Sequence, residues 1–160
     1  MAKPDHITLG GAPEGFDASL VARECSEKGR PVLHVARDDK RLASMHEALR
    51  FYAPDAVVLE FPAWDCLPYD RTSPNADVSA ARMATLAALA HGVPGPFILL
   101  TTLNAATQRV PARDVLRQSA YRARVGERID ETALREFLAR MGFVRTPTVL
   151  EPGDFALRGG

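Results

Sequence analysis

Apolar residues along the chain follow two alternating patterns. Short continuous runs of strand length occur at His6–Leu9 (HITL), Pro31–Val35 (PVLHV), Ala56–Phe61 (AVVLEF) and Phe97–Thr101 (FILLT). Between them the apolar positions recur every three or four residues, as on one face of a helix. Asp17–Lys28 places Leu20, Val21 and Cys25 together, Lys40–Phe51 places Leu42, Met45 and Leu49 together, and Val78–Ala90 is the third such stretch. Asp77 is the expected N-cap of that third helix and Gly92 its stop. Strands that are apolar throughout, separated by helices, predict a parallel sheet covered on both faces and hence an α/β fold.

Pro62–Asp77 has no sustained period and contains three prolines, so it should be an ordered surface loop,. Its apolar groups Phe61, Trp64, Leu67 and Tyr69 are expected to staple it to the sheet. Asn104–Gln118 has a helical pattern that Pro111 should break in two. From Ala120 the pattern changes: a strand over Ala120–Val125, a helix over Asp130–Met141 ended by Gly142, and strands at Phe143–Leu150 and Asp154–Leu157. We therefore expect an α/β domain over residues 1–118 and a second, α+β domain over 119–160. About 40 residues is short for an independent core, so that second domain is expected to be truncated or completed by other chain.

Composition narrows the function classes. The chain has 160 residues, 46% hydrophobic and 25% charged, which is ordinary for a globular protein,. Lys plus Arg equals Asp plus Glu at 20 each, so no long-range field attracts a phosphate backbone,. Cys25 and Cys66 form no CxxC pair and lack metal-site spacing, which points to two reduced thiols. No apolar run reaches the ~18 residues needed to span a bilayer, and the polar start does not resemble a secretion signal. A cytoplasmic location with no membrane partner is the expectation.

Candidate chemistry centres on a glycine loop. Gly10 and Gly15 stand at the spacing of a Walker A phosphate loop, after an expected strand and before a helix. The Lys and Ser/Thr that should follow the second glycine are replaced by Phe16 and Asp17. Those two missing groups reach the phosphates and ligate magnesium. Asp17 is also suited to cap the helix, occupying donors that a phosphate would use, and Glu14 adds a second negative charge without a Lys or Arg between Gly10 and Val21. The loop is thus expected to be a degenerate, non-functional phosphate cradle, and the chain to take no cofactor.

The remaining candidates are weaker. His6, His34, His46 and His91 are scattered without metal or nucleophile–base spacing, and Cys25 fits a helix core position. Arg109, Arg113 and Arg117 are four apart and would form a positive stripe if the helix continued past Pro111, with Arg122, Arg124 and Arg128 following. Such a stripe suits a nucleic acid or an acidic partner, although Asp114 and Glu127 dilute it. No catalytic residue is identified.

Three separated segments resemble one family. Phe61–Leu86 (FPAWDCLPYDRTSPNADVSAARMATL), Leu99–Pro111 (LLTTLNAATQRVP) and Gly142–Gly160 (GFVRTPTVLEPGDFALRGG) are similar, in order, to the start of bacterial transcription-repair coupling factors. The resemblance implies a module like the excision-repair protein UvrB: a degenerate, RecA-like P-loop domain with a parallel sheet flanked by helices, then the start of a domain that docks onto UvrA. It places Arg158 in the UvrA contact, where a guanidinium fork can grip a carboxylate. ATP and magnesium belong, by the same resemblance, to a translocase elsewhere in the full-length protein, as do the contacts with RNA polymerase and DNA. UvrB proteins carry an intact Walker loop and a DNA-clamping hairpin, for which the residues between Tyr69 and Val78 leave too little chain. A UvrB-like nucleotide- or DNA-binding domain is the alternative.

Overall fold

The computed structural model describes residues 6–67, 71–151 and 153–158. Tyr69 and the Gly159–Gly160 end of the third segment lie outside them. The chain divides into two compact units, Met1–Val110 and Pro111–Gly160, a boundary eight residues before the expected one and at the proline that interrupts the helical pattern.

Unit 1 is a parallel α/β domain. In chain order it runs α1 (Phe16–Lys28), β1 (Val32–Ala36), α2 (Asp39–Tyr52), β2 (Val57–Phe61), α3 (Ala76–His91), β3 (Phe97–Thr102) and the single turn α4 (Leu103–Ala106). The strand order is β1-β3-β2, all parallel, with Val32 opposite Ile98 and Val57 opposite Phe97. Central β3 carries Ile98 and Leu100, both fully buried. On one face they join Ala18, Ala22 and Cys25 of α1 and Leu42, Met45 and Leu49 of α2 in the main core. In α2 these are the expected positions; in α1 Cys25 is buried as expected, but Ala18 and Ala22 make up the rest of the face, with Val21 packed partly against it and Leu20 outside it. Helix α3 packs against β2 and buries Arg82, Thr85, Leu86 and Ala90.

Two expected features of unit 1 differ. His6–Leu9 is not a strand: it is exposed coil, with Ile7 77% accessible. Its two apolar side chains have no sheet face to cover. Asp77 is not the cap of α3; Asn75 is, accepting the Asp77 N–H at 2.8 Å. The helix begins two residues earlier because the Asx geometry follows Pro74 directly.

Unit 2 contains α5 (Arg113–Gln118), α6 (Glu131–Arg140), β4 (Val144–Arg145) and β5 (Asp154–Phe155). Pro111 does separate α4 from α5. Asp130 caps α6 through the N–H groups of Thr132 and Ala133, and Gly142 follows it with φ +84°. Ala120–Val125 is coil rather than strand; Val125 is fully exposed and the interleaved arginines supply no face to pack. The last two strands are shorter than expected and pair parallel, Val144 with Asp154 and Arg145 with Phe155. Helices α5 and α6 bury no residue, which matches the small core that a unit of this length can form.

Candidate functional site

The glycine loop leads into α1 with Gly15 as the N-cap residue, at φ +82°. That left-handed conformation is what glycine tolerates and other residues resist. Phe16 opens the helix and donates its N–H to the Pro13 carbonyl at 3.2 Å. Asp17 does not cap from outside the helix as expected. It sits in the first turn, where its Oδ1 accepts the Ala18 N–H at 3.0 Å, so it still occupies one donor of the helix end. Gly10 lies in the exposed coil before the loop.

The electrostatics of this loop were not legible in its own residues. Arg41 of α2 reaches across to Glu14 at 3.3 Å and to Asp17 at 3.4 Å. One guanidinium therefore pairs with both carboxylates that sequence left unpaired, leaving the trio one negative charge in excess, while the Asp38 cap accepts the Arg41 N–H at 2.8 Å. Asp38 is held below the usual carboxylate range, first by that backbone hydrogen bond and then by Arg37. His34 of β1 lines the same cleft with Asp17 and Arg41. Burial pushes its imidazole down, Asp17 opposes the shift and Arg41 adds to it. The cleft thus presents pairs that are already made, and a phosphate entering it would have to break Arg41 from its carboxylates.

A second constellation organises the first resemblance segment. Arg82 is 1% exposed and stacks between two rings, 4.2 Å from the Phe61 centroid and 4.4 Å from that of Trp64. It donates to the Pro62 carbonyl and to Gln108 Oε1, the latter at 2.9 Å. Gln108 Oε1 also accepts the Trp64 N–H at 3.1 Å. Three successive carbonyls leaving β2 are held by side chains: Glu60 by Thr85, Phe61 by Thr101 and Pro62 by Arg82. Asp65 accepts the Asn75 N–H at 3.2 Å and draws the two ends of the loop together. The Trp, Asp and Arg of that segment therefore build the loop. Phe61 and Trp64 staple it as expected, with the Arg82 guanidinium over both rings, but Leu67 is 73% exposed. Burial lowers the Arg82 pKa, and its Nε has no hydrogen-bond partner.

Arg158 is exposed and follows β5. The turn before that strand is built by Asp154, whose Oδ2 accepts the N–H groups of Leu150 and Glu151 at 3.3 Å each, and by Gly153 at φ +101°. The arginine stripe does not form: Arg109 lies outside any helix, and Arg113 and Arg117 are on α5 with Arg117 paired to Asp114 at 3.9 Å. Cys25 is buried and Cys66 half-buried, both free; burial raises the Cys25 thiol. His46 pairs with Glu60 of β2. Among the described residues no group of three or more His, Cys, Asp or Glu converges on a metal position, and no helix is long and apolar enough to cross a membrane.

These features define a small parallel α/β module whose glycine-bearing loop opens α1 and is paired with an arginine of the next helix. No family model matches the chain. It is 31% identical over 142 residues to the transcription-repair-coupling factor of Escherichia coli strain K12, a match that covers 89% of the chain and 12% of that protein. With the coupling factor of Haemophilus influenzae it shares 31% identity over 156 residues, 97% of the chain and 13% of the relative. With that of Myxococcus xanthus it shares 32% over 159 residues, 94% and 13%. The chain belongs to the transcription-repair-coupling factor family and spans about one eighth of the length of the curated relatives it matches.

Proposed function

We propose that this chain is the UvrA-recruiting, non-catalytic module of a transcription-repair coupling factor, linking a stalled RNA polymerase to nucleotide excision repair. Supporting it is the ordered match of three segments to one family, the last of which carries Arg158 as an exposed arginine beyond β5. A solvent-facing guanidinium in the segment that follows β5 suits bidentate recognition of a carboxylate on a partner,. Unit 1 acts in this reading as a degenerate P-loop scaffold similar to the first domain of UvrB, and unit 2 as the start of the UvrA-docking domain. ATP, magnesium, DNA and polymerase are assigned to other parts of the longer protein, which works in the cytoplasm. Retention of the chain on immobilised UvrA tests the reading: we expect binding that Arg158→Ala weakens at least tenfold. Equal retention of the variant would remove Arg158 from the site, and no retention of the wild type would reject the recruiting role.

A nucleotide-binding reading draws on the loop skeleton and on the positive charge that Arg41 brings to it. Arg41 is already engaged with Glu14 and Asp17, and the loop holds Phe16 where the phosphate-reaching lysine would stand. We expect no calorimetric heat with ATP and magnesium; saturable heat abolished by Arg41→Ala would favour this second reading instead.

A further inference from the structure

We draw no further inference here: the strongest candidate, the exposed surface patch of Arg113, Arg117, Arg122, Arg124 and Arg128 running from α5 into the coil before α6, is diluted by Asp114 and Glu127, and nothing in the structure shows what covers it in a chain that spans about one eighth of the length of its curated relatives.

Discussion

Replacing Arg82 by alanine removes the cation that ties Phe61, Pro62 and Trp64 to α3, and its contacts set the size of the loss. The Pro62 carbonyl is left without its donor, whereas Gln108 Oε1 keeps the Trp64 N–H. An orphaned buried acceptor costs about 1–3 kcal/mol. Two cation–π contacts contribute about 0.5–2 kcal/mol each, and the missing stem leaves a gap between two rings, worth about 2 kcal/mol if it collapses only in part. Against these stands relief of the desolvation of a buried guanidinium that faces no carboxylate, several kcal/mol by general estimate. The balance is a destabilisation of about 3 kcal/mol, or a drop in Tm of roughly 10 °C for a chain of this size. Arg82→Met keeps the stem and discards the charge, so it should cost about 1–2 kcal/mol less than alanine. Urea unfolding followed by both far-UV circular dichroism and fluorescence resolves the effect, since Trp64 is the sole tryptophan and reports the loop directly. A loss below about 1 kcal/mol for alanine, within the range of ordinary surface changes, would refute the keystone role. Methionine as damaging as alanine would show that the charge, not the stem, holds the loop.

Further outcomes concern the cleft at the glycine loop. Gly15→Ala places a Cβ in open space but at φ +82°, so strain alone should cost about 1–2 kcal/mol. Gly10→Ala, also in open space and without a positive φ, should change urea stability by less than about 0.5 kcal/mol; equal effects at the two positions would contradict the assignment of Gly15 as the strained cap. Because burial depresses the His34 imidazole, the unfolded chain takes up the proton first as pH falls. The stability it confers is complete above the ordinary value near 6.5 and lost as pH drops from there through the folded value. His34→Gln should flatten the fall in Tm between pH 7 and 5, and an unchanged slope would place the acid sensitivity elsewhere.

The parallel α/β layout was legible because β1, β2 and β3 are continuous apolar runs and the helix cores recur at 3.6-residue spacing; Leu42, Met45 and Leu49 fall where their period puts them. His6–Leu9 misled because a four-residue apolar pattern says nothing about whether a neighbouring strand is available. Ala120–Val125 misled for the same reason, its β-type residues finding no face to cover. Within the glycine loop the loss of Lys and Ser/Thr was visible at once, but the pairing of its carboxylates was not, since Arg41 is 27 residues from Glu14. Arg82 could have been found: an arginine at an otherwise apolar helix position, downstream of a Pro-rich loop that carries Phe61 and Trp64, signals a cation packed against rings. The role of Gln108, which bonds Trp64 and Arg82 at once, had no sequence signal, because a glutamine's partners are set only by tertiary structure.

The central claim is that this module recruits UvrA through the exposed arginine beyond β5, and calorimetric titration of UvrA into the chain at low and physiological salt tests it most directly. The account predicts saturable one-site heat, weakened at least tenfold by Arg158→Ala, with only a modest salt dependence because one guanidinium pair rather than a charged field carries the contact. A flat trace for the wild type, or an isotherm that Arg158→Ala leaves unchanged, would contradict it.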